Sequence, residues 1–121
     1  MLSLSKRLKV IAGMIPYGDN VCDVGTDHGY LPLFLASSGK YGNITATDIR
    51  KKPLENAKSN IEKSGVTSVR LLLCDGLEKV ERCDADTVII AGMGGINIVN
   101  ILKKDPSKLK NIKQIVVNPH R

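Results

Sequence analysis

The side chains that could do chemistry gather in a few short runs. The first is Val21-Cys22-Asp23-Val24-Gly25-Thr26-Asp27-His28-Gly29-Tyr30, where a carboxylate precedes a glycine turn and a second carboxylate and an imidazole follow it. The others are Thr47-Asp48-Ile49-Arg50, Cys74-Asp75-Gly76, Ala91-Gly92-Met93-Gly94-Gly95 and Asn118-Pro119-His120-Arg121. A dinucleotide-binding turn is the first chemistry to test. Its pyrophosphate fingerprint is G-x-G-x-x-G, so that backbone can approach the phosphates at a helix N-terminus. Aligned on Gly25, the second glycine position holds Asp27 and the third Tyr30, so one of three fits. A carboxylate placed against phosphates is also repulsive at the low effective dielectric of a cleft.

A ligand of the opposite polarity fits these residues better. S-adenosylmethionine carries a sulfonium and an ammonium beside its adenosine, so Asp23 and Asp27 would lie near positive charge. Gly25 and Gly29 let backbone come close, with Thr26 between them. Asp48 is placed to accept from ribose hydroxyls, and Asp75 from an adenine amino group, with Gly76 leaving room for the ring. Ile49, Ala91 and Gly92 complete the candidate cofactor set. Singly, each acid has a structural explanation: Asp23 a loop brace, Asp48 a helix cap, Asp75-Gly76 an ordinary turn pair. Their joint placement carries the expectation.

Elements of two periods must position these runs. Strands are predicted over 21–24, 44–48, 69–73, 87–91 and 115–117, the third being apolar enough to read as covered on both faces. Helical spacing joins Leu4, Leu8, Ile11 and Met14, with Ser3 available as cap. Further helices are predicted over 30–38, closed by Gly39, and 51–64, with Pro53 in the first turn and Gly65 as the stop. A weak helical stretch follows Gly76, and Ile96, Val99, Ile101 and Leu102 mark a helix face after the last glycines. Alternating strands and helices at this spacing imply an α/β fold: an open, mostly parallel Rossmann-like sheet of about five strands with right-handed crossovers. Ligands of such sheets bind beyond the carboxyl ends of the strands, where every unusual run here falls.

Composition sets bounds. The 121 residues are expected to form a single domain, 1–121, with ordinary globular apolar and charged content. Eighteen Lys and Arg against twelve Asp and Glu give a net charge of +6, which favours anionic partners, nucleic acid first. Tyr17, Tyr30, Phe34 and Tyr41 are the only aromatics, too few for a sequence-tolerant stacking platform. Cys22, Cys74 and Cys83 form no C-x-x-C pair and read as reduced thiols, without a disulfide frame or a metal site. No leader or membrane-length run is evident, so a cytoplasmic, soluble protein is expected.

The runs "LSKRL" near the start, "DVGTDHGYLP" over 23–32, "DGLE" over 75–78 and "AGMGG" over 91–95 together resemble the bacterial tRNA (adenine-22-N1)-methyltransferases, over essentially Leu2 to Pro119. The resemblance implies a Rossmann-like methyltransferase sheet, S-adenosylmethionine as cofactor and transfer to N1 of an adenine in tRNA. It also implies a helical C-terminal domain and further strands beyond the fifth, so the chain is expected to be the N-terminal part of a longer protein. Where the family has Gln-Pro-Asn after strand five, this sequence has Asn118-Pro119-His120.

N1 of adenine has a free lone pair and needs no general base, so positioning supplies most of the catalysis. Asp27 is the expected carboxylate facing the charge that develops on the base, and His28 the alternative polar contact. Met93, Gly94 and Gly95, with Asn118 and Pro119, are expected to border the base. Lys6 and Arg7, with Lys9, Arg50, Lys51 and Lys52, are candidates for gripping tRNA, and Lys103, Lys104, Lys108, Lys110 and Lys113 are expected on the opposite side of the sheet. A non-catalytic cofactor- or RNA-binding module and a small-molecule methyltransferase are the alternative readings. A homodimer through the edge of strand five is possible in either case.

Overall fold

A computed structural model describes residues 4–81 and 85–119 of the 121. Five parallel strands form one sheet: β1 (Val21–Val24), β2 (Ile44–Asp48), β3 (Val69–Leu73), β4 (Thr87–Ala91) and β5 (Gln114–Asn118). Their order is β3-β2-β1-β4-β5, so the chain reverses its direction of travel across the sheet between β1 and β4. Val21 is in register with Ile44 on one side and Thr87 on the other, which aligns all the tips that carry unusual residues. β1 and β2 are wholly buried, as central parallel strands must be when helices cover both faces.

One face is covered by α1 (Lys6–Gly13), α2 (Tyr30–Ser38) and α3 (Lys51–Ser64). Here Ile11, Ile15, Leu31 and Leu35 pack against Val21, Ile44, Ile89 and Val116. The other face is covered by α4 (Gly95–Lys104), a 3-10 turn (Pro106–Leu109) and the connection after β3, where Leu77, Val80 and Ile98 meet Cys22, Val24, Val88 and Ile90. Leu35, Ile89 and Ile90 are completely enclosed, each contributing about 1.5–3 kcal/mol of apolar burial. The α/β expectation is met strand for strand.

Four details differ from the sequence-based expectation. α1 is capped by Ser5, whose Oγ accepts from Leu8 N at 3.3 Å, and Met14 just past the helix is half exposed. Ser3 lies outside the described residues, as do Cys83 and His120. β3 is the sheet edge and only partly covered, and among the described residues no strand pairs with its outer side. Residues 76–79 are turns, not a helix. On α4, Ile98 is the buried residue while Ile96 and Val99 face outward, so the apolar stripe is rotated from the expected one.

Candidate functional site

The loop after β1 is pinned to the end of β2. Gly25 N and Thr26 N both donate to Thr47 O at 2.9 Å, and Asp27 N donates to Asp48 Oδ2 at 3.2 Å. Asp48 Oδ1 accepts from Arg50 N at 3.0 Å, so this one carboxylate fastens both loops. In a phosphate-binding loop these amides would point at the anion. Here each is already bonded within the protein, and the loop has no free cradle of N–H groups at these positions to offer a pyrophosphate. Asp27 itself is the one non-glycine residue with positive φ among those described (φ 56), a conformation that Asp tolerates and most side chains avoid.

Around this loop lies a cleft with two lobes, of about 640 and about 340 Å³. Gly25, Asp48, Ile49, Met93 and Asn97 line both. The thioether of Met93 lies directly over Gly25, where a Cβ would collide with it, so Met93 divides the lobes. Gly25 is held to glycine by its φ of 73°, while the Met93 methyl, the end of a flexible side chain, would have to move aside for a Cβ.

The larger lobe brings together Asp23, Thr26, Asp27 and His28 from the first loop with Ala91, Gly92 and Gly94 from the β4 loop, under Arg7 of α1. Asp23 is buried at the tip of β1. Burial pushes its carboxyl up to about 7, the nearby Thr26 hydroxyl opposes part of that rise, and the Asp48 carboxylate adds to it. The Thr26 hydroxyl is close enough to influence Asp23, and it is a fully buried polar group without a hydrogen-bond partner of normal geometry among the described residues. Asp27 and His28 stand at the mouth, both more than half exposed, with Nε2 and Oδ2 3.8 Å apart. His28 stacks on Tyr30 at 5.4 Å between ring centroids.

The smaller lobe contains Asp75 and Gly76 from the β3 loop and the polar face of α4, Asn97, Asn100 and Lys104. Lys104 Nζ donates to Asp75 Oδ2 at 2.7 Å and lies 3.7 Å from Glu78. These carboxylates hold the Lys104 ammonium above the usual lysine range, mainly through the Asp75 bond. Sequence reasoning placed Lys104 with a basic stretch across the sheet. The structure instead gives it to the cleft, because α4 turns its i, i+3, i+7 polar row inward.

Other predicted residues lie at the margins. Gly29 is turned toward Ala57 of α3 and shapes the loop without lining the cleft. Gly95 opens α4, Lys6 is exposed, and Pro119 is exposed beyond β5. Asn118 is tied in from the side: its Oδ1 accepts from Arg7 at 3.3 Å, and its backbone O accepts from Gly92 N at 3.0 Å. Sequence reasoning missed Asn97, Asn100 and Tyr30 as cleft residues. The Asn97-Asn100-Lys104 spacing was the available signal, and it was masked by the apolar residues between them. Among the described residues no helix is long and apolar enough to cross a membrane, and no three or more His, Cys, Asp or Glu group as a metal site.

The chain is similar in sequence and fold to known methyltransferases. The sequence model of a family described as "Methyltransferase domain" matches residues 4–121. The tRNA (adenine(22)-N(1))-methyltransferase of Bacillus subtilis is 38% identical over 98% of this chain and 50% of its own length. A Streptococcus pneumoniae candidate tRNA (m1A22) methyltransferase, solved with S-adenosyl-L-methionine, superimposes with a TM-score of 0.91 at 34% identity, over 97% of this chain and 56% of that one. M. capricolum TrmK, solved with S-adenosyl-homocysteine, gives a TM-score of 0.76 at 39% identity over 87% of this chain and 48% of that one. The chain thus spans about half the length of these curated relatives.

Proposed function

The chain belongs to the methyltransferase domain family, and from that premise we propose that it binds S-adenosylmethionine and serves methyl transfer to N1 of an adenine in tRNA, adenine 22 by its relatives. The observation that carries the proposal is the polarity of the cleft. Its glycine loop spends its amides on β2, and acids stand at the tips of β1, β2 and β3, an arrangement suited to a cationic nucleoside and unsuited to a pyrophosphate.

The residues fit the cofactor. Asp23, Gly25, Thr26, Asp27, Ala91 and Gly92 would hold its amino-acid end in the larger lobe. Asp48 and Ile49 would meet the ribose where the lobes join, and Asp75 and Gly76 the adenine in the smaller one. Each Asp48 oxygen gives one lone pair to a backbone N–H and retains another for a hydroxyl. When bound, S-adenosylmethionine supplies an activated methyl group on a positively charged sulfur.

The protein's own task is to present adenine N1 and face the charge that appears on the ring. N1 is concealed by base pairing, so the nucleotide must be unpaired or extruded, at a cost of a few kcal/mol. At the mouth, the His28–Tyr30 stack offers a short shelf for the base. Asp27, exposed beside His28, is positioned to oppose developing positive charge or to accept from the exocyclic amine. Arg7 and Arg50 line the same lobe and provide charge for the flanking phosphates, with Lys6, Lys9, Lys51 and Lys52 near them in sequence. Gly94, Gly95, Asn118 and Pro119 border the approach from the β4 and β5 tips.

Two further parts of the reading concern context. The exposed Ile115 and Val117 on edge strand β5 suit pairing of two chains, which light scattering of the purified protein would reveal. A tRNA-modifying role also supports a cytoplasmic location.

The test is to titrate the protein with S-adenosylmethionine, then assay transfer to unmodified tRNA and to a transcript with guanine at position 22. Cofactor binding with transfer to the first RNA alone supports the proposal. Binding without transfer identifies a cofactor-binding module, and no binding rejects both.

A further inference from the structure

We propose that Asp23 is a proton-linked acceptor: in the free protein it retains a proton in part at neutral pH and more fully below it, and it gives up that proton when the positive charge of a ligand enters the larger lobe. The inference rests on the S-adenosylmethionine reading above and goes beyond it, because it assigns a protonation state to the empty and filled cleft.

The geometry leaves little alternative. Asp23 is 5% exposed, at the end of a strand buried on both faces, and its carboxyl borders the lobe. Its cross-strand neighbours Ala46 and Ile89 offer no polar group. From β2 it faces Asp48, a like charge. From its own loop it meets only the Thr26 hydroxyl. The charged and titratable groups that share the lobe do not pair with it: Arg7 donates to Asn118, Arg50 lines the lobe, and the His28 imidazole sits beside Asp27. Among the described residues none forms an ion pair with Asp23. A buried carboxylate without a cation is strongly disfavoured, and the group neutralises instead. Its rise to about 7 follows from burial first and from Asp48 in addition.

Entry of a cationic ligand reverses the balance. The O–H bond of the Asp23 carboxyl breaks, its proton passes to solvent, and the carboxylate left behind pairs with the ligand's ammonium or sulfonium. Binding then becomes pH-dependent by linkage. For a group near 7, about half a proton leaves per ligand bound at pH 7, about 0.9 at pH 6 and about 0.1 at pH 8, and affinity drops about tenfold from pH 8 to pH 6.

Calorimetric titration with S-adenosylmethionine in buffers of different ionisation enthalpy counts those protons. The expected result is a release that follows this pH profile and disappears in Asp23→Asn. S-adenosylhomocysteine, which lacks the sulfonium, serves as a second ligand. Equal release with both assigns the ammonium as the partner, and release with S-adenosylmethionine alone assigns the sulfonium. Because Asp23→Asn alters a buried position, carboxyl carbon NMR on the wild-type protein provides a variant-free check: Asp23 titrates near neutrality when free. Normal binding without proton release, or a free-state midpoint near 4, overturns the inference and leaves the cofactor reading intact. Absence of any binding heat at pH 8, with no ligand-induced NMR shift, overturns both.

Discussion

The Met93 thioether lies across Gly25, so the point at which a side chain on residue 25 would begin is already filled by residue 93. The two come from different strand tips, β1 and β4, and together they separate the larger lobe from the smaller. Gly25→Ala should therefore act in two ways. A side chain at φ 73° costs about 1–2 kcal/mol of stability, which urea unfolding would measure. The displaced Met93 should also obstruct cofactor titration. Adding Met93→Ala should recover binding but not the stability, since the backbone strain remains.

Asp48 joins the two loops, and its removal should be felt unequally. Asp48→Ala deprives Asp27 N and Arg50 N of their acceptor, at about 1–3 kcal/mol for part-buried donors. Hydrogen exchange should accelerate at Asp27 and Arg50. Gly25 and Thr26, which donate to Thr47 O, should stay protected. Uniform acceleration across all four amides would contradict this division of labour.

Stability should depend on pH through Asp23. Its carboxyl lies near 7 in the folded chain against an ordinary 3.8, so the folded state binds a proton that the unfolded state has lost. The contribution of Asp23 is full below about pH 4, declines as pH rises, and is gone above about pH 7. Asp23→Asn stays neutral and should be more stable than wild type at pH 8, by a margin on the order of 4 kcal/mol. The difference should shrink at pH 5, as urea unfolding at both pH values would show.

Arg7 spans from α1 to the tip of β5, where it donates to Asn118. Arg7→Ala should raise KM for tRNA about tenfold and lower the salt dependence of tRNA binding by about one phosphate contact. Its cofactor affinity should be unchanged, because the residue roofs the lobe without replacing any of the acids. Filter binding across a salt series and cofactor calorimetry separate the two effects.

Lys104 and Asp75 are both about half exposed, and such pairs add little to folding. Lys104→Met should leave the unfolding midpoint nearly unchanged while shifting the affinity for the cofactor, since it frees Asp75 Oδ2 in the smaller lobe. Asp75→Asn should weaken cofactor binding about tenfold, the scale of one lost charge-assisted hydrogen bond. Equal affinities for the wild type and both variants would remove this lobe from the site.

The sequence alone determined the strands, the order of strand and helix, and the positions of Asp23, Asp48 and Asp75 at strand tips. These are local properties: an apolar run of four or five residues, a glycine stop and an acid immediately after it can be read within one short window. The tertiary structure decided which residues meet. Arg7 and Asn118 are 111 positions apart, and Lys104 and Asp75 are 29 apart. The edge position of β3, the inward turn of Asn97 and Asn100, and the Met93 contact with Gly25 likewise depend on strand order and helix rotation. Those are fixed by how both sheet faces bury their apolar area at once, and no local stretch of sequence contains that information.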